Sequence, residues 1–336
     1  MKLLVVIVSY RVTDLTIDCL RSLADEIGRV PGARVAVCEN GTGGDAEERI
    51  RRTIDENGWG EWVDLTAIHP NRGFTGGNNA VIRPALESAD PPEYVHLLNA
   101  DTIVLPGALE ALVTFLDAHP RAGIAGSRLE GPDGTVESTP FRFPGIVSEL
   151  NGGLRIGLVE RLLAPWGMRL PKPGGAFRGD WVSGASLIVR RKVLEQVGLL
   201  DEGLYTYFDD PDLCLRAARA GWETWYVPES RIIHLGGAST GVTGSRPPKR
   251  RPAYWHQARR RYFLKHHGPW YTAAADAAFL LGFASYRLRR RLQRKPDTDP
   301  PHLLADSFRH SVYCAGLRVP VVENPALREQ RETATR

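Results

Sequence analysis

The sequence predicts an α/β protein on an open, mostly parallel sheet with flanking helices. Two observations carry this. Short apolar runs rich in β-branched residues alternate, through the N-terminal third, with segments whose apolar positions recur at helical spacing. Each apolar run also ends in a polar cluster: Ser9 and Tyr10, Glu39 and Asn40, Asn71 to Asn79, and Asn99 to Asp101. Open α/β sheets bind their ligands beyond the carboxyl ends of their strands, where these clusters fall.

The first run, LLVVIVSY, is continuously apolar, as a strand buried on both faces must be. Thr13 or Asp14 can then cap a helix whose Leu15, Cys19, Leu20, Leu23 and Ile27 share one face. ARVAVCENG predicts a second strand and turn, followed by a charged helix around Asp45 to Glu56. VDLTAIHP is a third strand, and the glycine-rich stretch NRGFTGGNN reads as a loop into a helix over Ala80 to Leu86. YVHLLNAD is a fourth strand, with a helix near Ala108 to Leu116 behind it. EGPDGTV is a hairpin turn, and Thr139 to Phe177 is a Pro- and Gly-rich region without a regular signal. DWVSGASLIVRR restores a strand. In LYTYFDDPDLCLRAARAGW, Asp210 suits an N-cap, Pro211 the first helical position and Gly221 the stop. Three aspartates, Asp209, Asp210 and Asp212, exceed what one cap needs, and Tyr205, Tyr207 and Phe208 suggest a walled site.

A chain of 336 residues can bury a substantial core. The net charge of +4 conceals an asymmetry: Arg246 to Lys295 holds 14 Lys and Arg against the single acid Asp276, or +13, leaving −9 elsewhere. Cys19, Cys38, Cys214 and Cys314 have neither zinc-site nor disulfide-framework spacing, so they read as structural thiols of a reduced compartment. The N-terminus lacks a cleavage pattern and reads as a first strand.

Three motifs carry chemistry. Asn99 and Asp101 in LLNADTIV close a buried strand, where a carboxylate and a nearby oxygen can hold a divalent metal against a diphosphate; N-x-D at that position is also an ordinary turn. Gly73, Gly76 and Gly77, with Asn78 and Asn79, allow close backbone approach, or simply make a glycine turn. A dinucleotide fingerprint would place G-x-G-x-x-G directly after the first strand; VSYRVTD has no glycine, which counts against an NAD-dependent oxidoreductase. His234 in RIIHLGGAST ligates a metal only if other ligands converge on it; a lone histidine is more often structural.

The ordered set VVIVSY, CENG, NRGFTGGNN, LLNADTIV, DWVSGASLIVRR, LYTYFDDPDLCLRAARAGW and HLGGAST, over about residues 3 to 240, resembles the family 2 glycosyltransferases of GT-A fold, in particular bacterial rhamnosyltransferases. The resemblance implies an inverting, metal-dependent transfer of a sugar from a nucleotide donor, with dTDP-rhamnose as first guess and UDP sugars next. The acceptor would be a hydroxyl of a glycan or polyprenyl-linked saccharide in cell-envelope polysaccharide synthesis. It places the catalytic base on Asp210 and nucleotide-sugar contacts on Ser9, Tyr10, Glu39, Asn40, Gly73, Asn78 and Asn99. Asp101 and His234 would hold Mg2+ or Mn2+, and Trp181, Ser183, Gly184 and Asp209 would lie on the acceptor side. This chain has Glu39 where the family usually has Asp, and Asn99 as the first member of its metal motif.

The resemblance divides the chain into a GT-A domain, residues 1–240, a basic and aromatic helical segment, 241–295, and an irregular tail, 296–336. The stretch Trp270 to Tyr286 is shorter than the ~20 apolar residues a bilayer span needs, and RLRRRLQRK follows it. Such a segment lies on an anionic membrane surface or is a soluble helix with a charged face. The expected location is the cytoplasm, at the inner face of the cytoplasmic membrane. Nucleic-acid binding by the basic segment ranks below these readings, because the body is acidic and lacks a binding module.

Overall fold

The computed structural model describes residues 1–137, 140–168, 170, 174–236, 248–322 and 325. Among the described residues nine strands form one sheet: β1 (Leu3–Ser9), β2 (Ala33–Glu39), β3 (Val63–Ala67), β4 (Tyr94–Asn99), β5 (Thr102–Val104), β6 (Ala122–Glu130), β7 (Phe177–Gly179), β8 (Ser186–Arg190) and β9 (Glu223–His234). Their order is β3-β2-β1-β4-β8-β6-β9-β5, with β7 on β9. The helices are α1 (Thr13–Ala24), α2 (Ala46–Glu56), α3 (Gly73–Leu86), α4 (Ala108–Ala118), α5 (Ile146–Leu154), α6 (Gly157–Leu163), α7 (Arg191–Val197), α8 (Asp209–Arg219), α9 (Ala253–Leu292), α10 (Leu303–Arg309) and α11 (Val312–Ala315).

The parallel expectation holds throughout the first four pairing strands, and beyond them the sheet is mixed. β1 pairs in parallel with β2 and β4, and β2 with β3, but β8 runs antiparallel to both β4 and β6. β9 is parallel to β6 and antiparallel to β5 and β7, so the second half is mixed. The apolar runs that predicted burial on both faces behave so. Leu3, Val5 and Ile7 join a cluster with Leu20, Leu23, Leu109 and Leu112, while Leu4 and Val6 pack with Ile82, Leu187, Leu213 and Cys214 on the opposite face.

Three expectations are corrected. NRGFTGGNN is helix from Gly73 onward, not loop. Two interior glycines cost roughly 1 kcal/mol each against alanine, yet a Cβ at Gly77 would lie 2.8 Å from Val8 of β1 and one at Gly76 2.6 Å from Arg72. Close approach, to the sheet at Gly77 and to the helix's own N-cap residue at Gly76, therefore outweighs propensity. The aspartate helix begins earlier than its cap chemistry suggests: its N-cap is Phe208, Asp209 and Asp210 are its first residues, and Pro211 sits third, where an absent N–H is still no loss. Finally, the tail is not wholly irregular, since α10 and α11 fold back on α9.

α9 turns at Gly268, with φ 78°, just before Pro269, which cannot donate to the helix. Its first half is core: Tyr262 and Phe263 are fully buried and pack with Leu215 of α8 and Phe143. Among the described residues no helix is long and apolar enough to cross a membrane. Cys19, Cys38 and Cys214 are buried, and burial pushes each thiol up to about 12, as unreactive core thiols require.

Candidate active site

The carboxyl ends of β1 and β2 meet the start of α3, and the end of β4 meets Ala185. Asn40, after β2, donates from Nδ2 to Gly73 O (2.9 Å) and accepts from Arg72 N (2.9 Å). Asn71 Oδ1 accepts from Gly73 N at 2.6 Å. Gly73 has φ 73°, and a Cβ there would sit 2.4 Å from the Tyr205 ring and carbonyl oxygen, so only glycine fits. Tyr205 O in turn accepts from Thr75 N at 3.2 Å. The start of α3 is thereby fixed against the segment that leads into α8.

That segment is strained. Tyr205, Tyr207 and Phe208 all have φ between 60° and 67°, a region bulky residues rarely enter, and such strain persists only where surroundings over-determine it. Tyr254 of α9 supplies part of that support, stacked on Tyr207 at 6.1 Å and edge-on to Tyr205 at 5.8 Å. Leu200 and Glu202 are tied to Asn79 of α3, whose Nδ2 donates to Leu200 O (2.8 Å) and Glu202 Oε1 (3.1 Å).

The strained turn delivers the three aspartates into different environments. Asp209 is buried, and burial together with the adjacent Asp210 charge raises its carboxyl well above the ordinary range. Asp210 is half-buried; burial raises it too, opposed by the backbone N–H of Gly184. A Cβ on Gly184 would lie 2.3 Å from Asp210 Oδ1, so the carboxylate rests directly on that glycine. Asp212 differs. Burial alone would raise it, but His266 (2.7 Å), Arg216 (2.8 Å) and Lys265 (2.6 Å) hold its carboxyl well below the usual range. It is a fully buried ionic joint between α8 and α9.

Gly184 also links the carboxylates to the other polar cluster. The residue after it, Ala185, accepts from Asn99 N at 3.0 Å, placing the end of β4 beside the aspartate turn. Beyond Asn99, Thr102 pairs with His234 across β5 and β9. His234 Nε2 lies 3.4 Å from both Asp101 Oδ1 and Asn99 Nδ2. Among the described residues no group of three or more His, Cys, Asp and Glu gathers as a metal cage. A carboxylate and an imidazole nitrogen at 3.4 Å, with an amide beside them, nevertheless form a partial set that suits a hard cation completed by phosphate oxygens and water.

Several expected ligand contacts are turned inward. Ser9 Oγ bonds Thr16 Oγ1 at 2.8 Å and is fully buried. Glu39 accepts from Thr42 N (2.7 Å) and Gly41 N (3.2 Å), so its carboxylate shapes the loop after β2. Asn78 donates to Phe74 O, leaving its buried Oδ1 without a hydrogen-bond partner, while Tyr10 lies half-exposed under Arg11. On the other wall, Trp181 donates from Nε1 to Arg142 O (2.9 Å) and stacks on Phe141, and Ser183 Oγ accepts from Ala185 N (3.3 Å). Residues 237–240 of HLGGAST lie outside the described residues.

The open mixed sheet with flanking helices defines the class as a GT-A glycosyltransferase fold. The glycosyltransferase-like family 2 profile matches residues 2–264, and the chain belongs to that family. It is 31% identical over 191 residues, 54% of this chain and 58% of the relative, to an N-acetylglucosaminyl-diphospho-decaprenol L-rhamnosyltransferase of Mycobacterium tuberculosis. It thus spans less than two thirds of that relative's length. A dTDP-rhamnosyl transferase, RfbF, of Shigella flexneri is 23% identical over 66% of this chain and 70% of its own. In fold the chain is similar to GalNAc-T7 solved with UDP, GalNAc and Mn2+ (TM-score 0.57, 14% identity, 88% of this chain and 55% of that one). It is likewise similar to residues 1–349 of S. aureus TarS (TM-score 0.52, 15% identity, 93% and 81% coverage).

Proposed function

We propose that this protein transfers a sugar from a nucleoside diphosphate donor to a hydroxyl of a glycan or lipid-linked acceptor, with inversion. The observation that carries the reading is the single loop, Ser183 to Ala185, that joins Asp210 to the Asn99, Asp101 and His234 cluster. Asp210 is the base: it is the less buried member of a pair whose partner, Asp209, holds a proton more readily. Ionised, it takes the proton from the acceptor hydroxyl as the new bond forms, while Gly184 N–H keeps it aimed. Asp101 and His234, with Asn99, are the residues that would hold Mg2+ or Mn2+; such an ion, when bound, offsets charge on the departing diphosphate. Tyr10 and the Asn40 to Gly73 turn are the nucleotide side, with Ser9, Glu39 and Asn78 shaping it from beneath. Trp181, Ser183, Gly184 and Asp209 form the wall behind the acceptor.

The names of the rhamnosyltransferase relatives favour dTDP-rhamnose as donor and a role in cell-envelope polysaccharide synthesis. The second half of α9 presents Trp270, Leu281, Leu288 and Leu292 to solvent beside Arg287 and Arg291, a face that suits peripheral contact with an anionic membrane at the cytoplasmic side. The test is a donor screen, dTDP-rhamnose beside UDP sugars, with Mn2+ or with chelator. Metal-dependent turnover of one nucleotide sugar supports the reading; turnover of none, under conditions where the protein is folded, overturns it.

A further inference from the structure

The turn that leads to Asp210 is held from outside by the C-terminal part of the chain. Arg261 of α9 makes a fork onto Asp201, Nε to Oδ2 at 3.0 Å and Nη2 to Oδ1 at 2.9 Å, and its third nitrogen, Nη1, donates to Pro320 O at 2.7 Å. Gly203 lies directly against that guanidinium, since a Cβ there would be 2.3 Å from Arg261 Cζ. Two residues after Pro320, Val322 N donates to Gly203 O at 2.9 Å. The Val322 side chain is 5% exposed and clusters with Leu204 and Ala258, against Tyr205, Tyr207, Phe208 and Tyr254. Val321 beside it is 74% exposed, so the segment turns one side to the protein and the other to solvent, the alternation an extended chain gives.

These contacts fall where the strain lies. Gly203 and Leu204 run directly into Tyr205, and Tyr205, Tyr207 and Phe208 hold positive φ before the chain enters α8 at Asp209 and Asp210. Such conformations persist only where their surroundings fix them. The turn's own backbone bonds are local: Leu204 N donates to Asp201 O, Tyr205 N to Glu202 O and Thr206 N to Leu204 O. Local bonds shape a bend without fixing where it sits. Asn79 fixes it from the α3 side, and Arg261, Tyr254 and Val322 fix it from the other. Lys265 ties the same Asp201 to Asp212 of α8, at 2.7 and 2.6 Å, so both ends of the turn are referred to α9.

We infer that Pro320 to Val322 is a strap that positions the base: with Arg261 it holds the turn from Asp201 to Phe208 in its strained path and so keeps the Asp210 carboxylate on Gly184. Val322 and Arg261 are positioning residues that act through Asp210. This rests on the reading of Asp210 as the base in glycosyl transfer.

The test is single-turnover transfer by the full chain, each protein held well below its own thermal midpoint. The probes are dTDP-rhamnose, or the nucleotide sugar that the donor screen returns, with Mn2+ and an alkyl-diphosphate-linked N-acetylglucosamine. Donor affinity is measured by calorimetry, and amide hydrogen exchange is followed in peptides covering residues 203–212. Val322→Ala should slow transfer about tenfold or more with donor affinity unchanged, and should speed exchange at 203–212 while β1 and β4 exchange as before. Val321→Ala, on the solvent side, should change neither. Arg261→Lys keeps the charge beside Asp201 but not the fork that also reaches Pro320, and should slow transfer in the same way, less steeply. In an Asp210→Asn background Val322→Ala should cost no further rate, since both act on one carboxylate. Native transfer in Val322→Ala, unchanged exchange at 203–212, or losses that multiply with Asp210→Asn overturn the strap. Failure of the glycosyl-transfer reading looks different: the wild-type protein turns over no nucleotide sugar, while Val322→Ala still speeds exchange at 203–212.

Discussion

Gly184→Ala adds one carbon at the point where the proposed base rests. The new Cβ would lie 2.3 Å from Asp210 Oδ1 and 3.0 Å from its Cγ, where ordinary contact begins near 3.4 Å. The carboxylate or the loop must therefore move by about 1 Å, and a misplacement of that size typically costs about 100-fold in rate. Gly184 is not in the left-handed backbone region, so alanine adds no torsional strain, and the fold should lose no more than the ~1–3 kcal/mol typical of overpacking. The assay is single-turnover transfer beside thermal midpoint and donor affinity, for Gly184→Ala, Asp210→Asn and the double variant. Both substitutions act on one carboxylate, so the double variant should be no slower than Asp210→Asn alone. Native turnover in Gly184→Ala, or losses that multiply in the double variant, would refute the assignment of the base through this contact.

Three further outcomes follow from the same geometry. Asp212→Asn should lower stability by about 3 kcal/mol, because it leaves Arg216, Lys265 and His266 around a neutral amide in a dry site. The Asp212 carboxyl is depressed, so its contribution is present above the unfolded value of ~3.9 and is lost as pH falls toward the folded value; the variant's deficit in thermal midpoint should shrink below about pH 4. Asp101→Ala should abolish the Mn2+-dependent part of nucleoside diphosphate binding in calorimetry while the thermal midpoint of the ligand-free protein changes little; unchanged metal-dependent affinity would end the metal assignment. The full chain should float with anionic vesicles at low salt and release at high salt, Trp270→Ala weakening this because that indole is 83% exposed; flotation with no vesicle would assign the segment to a soluble helix.

The first four pairing strands were legible because burial on both faces writes an unbroken apolar run into the chain. The antiparallel entry of β8 was not, since its pairing with β4, which begins where Asn99 N meets Ala185 O, joins residues far apart in sequence. The glycines of α3 misled for a physical reason: they signal close approach as readily as a loop, and here the approach is to Val8 inside a helix. The three aspartates suggested a site, and the resemblance put the proposed base on Asp210, but the sequence did not show that Asp212 is a buried ionic joint between α8 and α9. That distinction comes from Lys265 and His266, more than 50 positions away.

The central claim is that Asp210, not its neighbours, accepts the proton, and transfer rates of Asp209→Asn, Asp210→Asn and Asp212→Asn measured with thermal midpoint and donor affinity test it most directly. Asp210 is not the helix cap, and its carboxyl is raised by burial, so its ionised form costs the fold stability at neutral pH; Asn should keep or raise the midpoint. An amide cannot take a proton, so turnover should fall about 10²- to 10⁴-fold with donor affinity intact, while Asp209→Asn loses less and Asp212→Asn loses stability first. Near-native turnover in Asp210→Asn, or an Asp212→Asn protein that is inactive with its fold and donor binding intact, would contradict the account.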